Sequence, residues 1–188
     1  MKLWKALLVL CLAFVTAGAL YISVLVRRGF SARENPSWAE SLAAGIARRL
    51  AMPATFRMKN PYPSTPENLS KASAEFAKNC AVCHGDNGNG ETLIGQGLYP
   101  KPPDMRATET QNKSDGELFY TILNGVRLSG MPAFGRSNRG GTAGFSDEEA
   151  WKLVLFIRHL PEMTPAEEHS MQELNAKPEP DRTAPSHK

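Results

Sequence analysis

The stretch NCAVCHGDNGNG, residues 79–90, places Cys80 and Cys83 around two intervening residues, sets His84 directly after the second, and continues in glycines. Cysteines spaced this way can be a redox dithiol, half of a zinc site, or the attachment point of a larger group. A tetrahedral zinc site requires further ligands at workable spacing. The third cysteine, Cys11, lies in an apolar run, and the other histidines are His159, His169 and His187. A thioredoxin-like dithiol belongs in a βαβ setting, whereas this motif ends a helical pattern. Nor do three cysteines make a disulfide framework. C-x-x-C-H is, however, the attachment signature of c-type haem: two thiols add to the porphyrin's two vinyl groups, and the adjacent histidine reaches the iron from one face.

Working outward, Thr65 caps a helix with Pro66 at its first position and Leu69, Ala72, Phe76 and Cys80 on one face. Ser114 with Glu117 forms a capping box opening a second helix, in which Leu118, Phe119, Ile122 and Leu123 are apolar and which Gly125 can end. Ser146 with Glu149 repeats the device, with Phe145 as a possible staple, and Trp151, Val154, Leu155 and Ile157 carry a third helix to a stop at Pro161. No alternation supports a sheet, so the fold class is all-α. Loops of about thirty and twenty residues separate these helices, longer than compact domains tolerate without structure of their own. A non-protein group is therefore expected to fill the middle.

On Cys83-His84-Gly85 with Gly88 and Gly90, and on the first and third helices, residues 66–160 resemble a single-haem bacterial cytochrome c of the class I type. The resemblance implies a cytochrome c-like helical domain around one haem c, covalently attached through two thioethers, with the two outer helices crossing beside it. Phe76 and Trp151 are then candidates for the crossing contact. It also implies a second axial ligand opposite His84. Of the seven methionines, only Met105 and Met131 fall inside the domain. The run Ser129-Gly130-Met131-Pro132-Ala133-Phe134 is similar to the family's axial-methionine loop, so Met131 is the expected iron ligand; Met105, in a proline-rich loop, is the alternative. A proline carbonyl, from Pro102 or Pro103, is expected to accept the His84 ring N–H and orient it. Gly85, Gly88 and Gly90 suit left-handed backbone or close approach to the porphyrin.

The chain's other parts bear on where such a domain works. Residues 6–26 carry no charge and lie between Lys2, Lys5 and Arg27, Arg28. As a helix they would span roughly 30 Å, the thickness of a bilayer's hydrocarbon core. A single transmembrane anchor over residues 1–28 is favoured; a cleaved secretory signal, with Ala17-Gly18-Ala19 as its small-residue site, is the competing reading. Residues 29–65 read as a linker: Trp38, Leu42, Ile46 and Leu50 recur at steps of four in a short amphipathic helix over about 37–52, followed by Pro53, Pro61, Pro63 and Pro66. That helix is either a spacer packed on its own domain or one lying on a membrane or a partner subunit. After the domain, residues 161–188 form a tail with a short helix begun by Thr164, Pro165 and Glu167, then a disordered run beyond Asn175.

The excess of positive charge lies before residue 60, whereas charges over 66–160 nearly cancel, which favours membrane phosphates over nucleic acid as a partner. By the same resemblance, the haem domain lies on the periplasmic side of a bacterial inner membrane. The expected activity is one-electron transfer between membrane redox complexes, with no catalytic residues. A tightly bound electron-transfer subunit of a larger respiratory or photosynthetic complex is the alternative, and a haem-based gas sensor a further rival.

Overall fold

A computed structural model describes residues 2–28, 31–51, 55–136 and 144–176. The chain divides into two compact units, Met1–Glu34 and Asn35–Lys188. The first is essentially one helix, α1 (Lys2–Arg28). Its apolar stretch Leu3–Arg27 runs 25 residues, roughly 37 Å at 1.5 Å per residue, long and apolar enough to cross a membrane. Thr16 satisfies its hydroxyl within the helix by donating to the Leu12 carbonyl at 2.9 Å.

The second unit is built from α2 (Trp38–Ala51), α3 (Pro66–Asn79), α4 (Ala81–His84), α5 (Leu93–Gln96), α6 (Thr108–Gln111), α7 (Asp115–Asn124), α8 (Asp147–His159) and α9 (Pro165–Ala176), with short 3₁₀ turns at Thr55–Arg57 and Leu160–Glu162. Among the described residues the only extended pairing is an isolated bridge between Gly135 and Phe145. The domain is therefore all-α, and its three main helices start where their caps require. The Thr65 hydroxyl accepts from the Asn68 N–H at 3.2 Å, and complete capping boxes open α7 and α8. Four-residue helices occupy parts of the long loops. They are too short for an apolar period to announce them.

The core lies where α3 and α8 cross. Phe76, Leu153, Val154, Leu160 and Met171 are each at most 2% exposed, and each such burial stabilises by roughly 1.5–3 kcal/mol. Phe76 does sit at the crossing, but its aromatic partner is Phe156, with ring centroids 5.1 Å apart. Trp151 stacks instead on Phe119 of α7 at 4.1 Å. Phe145 stacks on Phe134, 5.5 Å away, tying the loop before α8 to the chain leaving Met131.

Two segments outside residues 66–160 join this packing. Part of the proline-rich linker is strapped to the domain: the Asn60 amide donates to the Trp151 carbonyl at 2.8 Å, and Lys152 stands over the Tyr62 ring. At Gly116 of α7 an added Cβ would come within 1.7 Å of the Thr55 carbonyl oxygen, so only glycine lets that strap lie so close. At the other end α9 packs on α3, and Met171 completes the core. The expected end of the amphipathic helix at Met52, Pro53, and the tail from Lys177 fall outside the described residues, while Ala176 still belongs to α9.

Arg158 knits α8 to the start of α7. Its guanidinium donates to Asp115 Oδ1 at 3.0 and 2.9 Å and to the carbonyls of Gln111 and Lys113. The Gln111 amide in turn donates to the carbonyls of Met105 at 2.7 Å and Ile157 at 2.9 Å. This network locks the long loop through Met105 against α8, and so shapes one wall of the site.

Candidate haem site

The motif occupies a single helical turn. α3 hands over to α4 at Cys80, whose carbonyl accepts from the N–H of Cys83 at 3.1 Å and of His84 at 2.9 Å. Positions i, i+3 and i+4 of one turn share a face, so Cys80, Cys83 and His84 stand together; this is why the motif has that spacing. Both thiols are free. Burial, with Glu75 and Cys83 adding to it, pushes the Cys80 thiol up to about 12.

These three residues line a cavity of about 470 Å³, within the range of roughly 300–1,000 Å³ usual for small-molecule sites. Its walls are largely apolar, with Phe76, Leu98, Leu118, Ile122 and Leu153 among them, and Pro102, Pro103, Met105 and Met131 also line it. Burial pushes His84 down to about 4, so the ring is neutral at ordinary pH, the form that ligates a metal. Its Nδ1 is buried without any hydrogen-bond partner. A protein interior rarely leaves such an atom alone, since it forfeits about 1–3 kcal/mol. A neutral imidazole beside two thiols in an apolar cavity fits a porphyrin iron, with Nδ1 left to find a carbonyl and the other ring nitrogen free to ligate. The remaining requirement of that fit is cations for the porphyrin's carboxylates, and Arg48, Lys101 and Lys113 line the same cavity. Lys113 has its pKa lowered, chiefly by burial and then by Arg48.

The two methionines reach the cavity from different loops. Met105 is buried, and its N–H donates to the Gly88 carbonyl at 2.8 Å, which ties it to the loop leaving His84. Met131 is half-buried and belongs to the separate loop after α7. Its carbonyl accepts from the Val126 N–H at 3.1 Å, and its own N–H donates to the Ser129 hydroxyl at 3.1 Å. Gly125 ends α7 at φ 65, and a Cβ there would meet the carbonyl carbon of Pro132 at 2.5 Å. Glycine at 125 thus closes the loop that presents Met131.

Gly85, Gly88 and Gly90 all take positive φ, at 79, 74 and 74. At Gly90 a Cβ would lie 2.6 Å from the Pro102 carbonyl oxygen. Pro102 and Pro103, the expected acceptors for the His84 ring, line the same cavity as that ring, and His84 Nδ1 has no hydrogen-bond partner among the described residues. Arg48 and Lys113 are cavity residues that sequence reading missed. Arg48 carries a signal in hindsight, since it falls opposite the apolar stripe of α2; Lys113 carries none.

A family model described as cytochrome c oxidase, cbb3-type, subunit III matches residues 67–157, just under half of the chain. No curated protein matches it. The matched segment runs from the first turn of α3 to the last turn of α8 and supplies every lining residue of the cavity except Arg48. The match, with the one C-x-x-C-H in the sequence, supports a monohaem c-type cytochrome domain over residues 67–157.

Proposed function

We propose that the chain is a membrane-anchored one-electron carrier holding one haem c, attached through Cys80 and Cys83 and ligated by His84 and Met131. The observation that carries this reading is the single cavity faced by both thiols and a neutral His84, with Met131 entering from another loop. When bound, the haem supplies a reversible one-electron couple, and thioether opposite imidazole favours the reduced state. The protein's own part is to exclude water and fix the ligands. Cys80 and Cys83 would each supply a thiol, sulfur and hydrogen together, to one vinyl group, so attachment would need no oxidant. Arg48, Lys101 and Lys113 would face the carboxylates. Met131 is favoured over Met105 because Met105 is bonded to the loop leaving His84, the histidine's own side of the cavity. In this reading α1 anchors the chain in a bacterial inner membrane, with the haem domain periplasmic.

A second reading, a fixed subunit of a larger oxidoreductase, is favoured by the matched family, whose description is that of an oxidase subunit. Absorption spectra of the purified holoprotein in both redox states test the ligand set. The oxidised protein is expected to show the weak long-wavelength sulfur-to-iron band, and Met131→Ala to abolish it. Loss of that band in Met105→Ala instead would reassign the ligand. Ready carbon monoxide binding by the reduced protein would favour a gas sensor.

A further inference from the structure

α2 lies outside the matched segment, yet it touches the haem site. Arg48 is half-buried and lines the cavity. Glu40 has its pKa lowered chiefly by the bonds it accepts from Ser37, with Tyr99, just before the cavity's proline run, adding a smaller share. Both inward contacts come from one side of the helix. At about 100° per residue, Trp38, Leu42, Ile46 and Leu50 centre on the opposite side, roughly 180° away. All four are exposed, from 51% at Ile46 to 80% at Trp38, and α2 buries none of its residues. The stripe therefore does not pack on its own domain, whatever the opposite side of α2 does.

Three features of the chain name what covers it. α2 begins ten positions after Arg28, the end of α1, so the connection extends at most about 35 Å from that end. The stripe opens with a tryptophan, a residue that settles at membrane–water interfaces. Residues 31–60 carry five cations, Arg33, Arg48, Arg49, Arg57 and Lys59, against the two acids Glu34 and Glu40; Arg33, Arg49, Arg57 and Lys59 are exposed. A basic amphipathic helix tethered this close to a bilayer suits an anionic lipid surface.

We infer that α2 is an interfacial helix: its Trp38–Leu42–Ile46–Leu50 stripe beds into the anionic leaflet of the membrane that α1 enters, while Arg48, on its other side, faces the haem cavity. The inference rests on α1 being a retained anchor. Its consequence is that the wall of the haem cavity formed by Arg48 is held at the lipid surface.

Amide exchange of the full-length holoprotein in nanodiscs tests it. In discs containing phosphatidylglycerol, residues 38–51 should exchange at least tenfold more slowly than in discs of phosphatidylcholine alone or in amphipol. Leu42→Glu with Ile46→Glu should abolish that protection and leave the haem spectrum unchanged. Protection that is equal in all three media and survives the double substitution would mean that α2 packs on protein, overturning the inference. Fast exchange in every medium would overturn it too, as would protection gained only when other membrane proteins are present. Alkaline carbonate extraction separates the two failures: release of the chain from membranes refutes the anchor itself, whereas retention with an unprotected α2 refutes only the interfacial helix.

Discussion

Arg48 and Lys113 place positive charge on one wall of an otherwise largely apolar cavity. An oxidised haem iron carries one more positive charge than a reduced one, so each cation disfavours oxidation and raises the reduction potential. A unit charge at ~10 Å through an effective dielectric of about 20 is worth roughly 1.7 kcal/mol before salt screening. At about 59 mV per tenfold change in a one-electron equilibrium, the screened effect is some tens of millivolts. Arg48→Ala and Lys113→Ala are each expected to lower the midpoint by roughly 20–60 mV, read by redox titration; an unchanged or higher midpoint would show that neither cation acts on the iron. At this scale the sequence was legible wherever the chemistry is local. Cys80, Cys83 and His84 share one helical turn, so their spacing alone announced a common face. Met131 was preferred over Met105 from the glycine and proline around it, and the Gly88–Met105 hydrogen bond, which joins distant positions, adds support that no local pattern could show. Arg48 and Lys113 come from separate elements, and only tertiary packing brings them to one wall.

At the scale of elements, legibility followed the strength of local signals. Caps made α3, α7 and α8 plain, because a hydroxyl or carboxylate that satisfies a helix's first N–H groups is a short-range device. What sequence could not display was docking. The linker's prolines read as an extended spacer, yet Asn60 and Tyr62 bind it to α8, and Gly116 leaves room for it on α7. Likewise the tail helix was legible from Thr164, Pro165 and Glu167, but its role in the core was not. α9 carries little apolar surface, and its docking depends chiefly on one residue, Met171, which is 2% exposed. Truncating a buried methionine typically destabilises by about 2–5 kcal/mol. Met171→Ala is therefore expected to lower the unfolding free energy of the holoprotein by about 2–3 kcal/mol, measured by denaturant titration, with its visible spectrum unchanged. A loss below about 0.5 kcal/mol, the level of ordinary surface changes, would mean that α9 is a loosely held tail after all.

For the whole molecule, the docked strap changes how a carrier can move. With residues 55–65 folded onto the domain, flexible reach cannot come from the entire stretch between anchor and haem domain. It is left chiefly to the few residues before α2, which together extend at most about 35 Å. With α1 as the proposed anchor, a short tether would hold the haem domain in a thin layer beside the membrane and raise its effective concentration at partners there. Contact affinity need not rise for this to speed transfer. The carrier and fixed-subunit readings therefore diverge when the tether is cut. A protease site inserted between Arg33 and Glu34 releases residues 34–188 from reconstituted membranes without touching the compact unit that begins at Asn35. For a carrier, cleavage should slow reduction by a membrane-bound donor at least tenfold at submicromolar protein, make that rate proportional to the concentration of released domain, and leave the midpoint potential unchanged. For a subunit, the released domain should stay with its complex through sedimentation and keep its rate. A tenfold loss that added soluble domain fails to restore would count against both, since it would mean that α1 acts in the transfer itself and not as a tether.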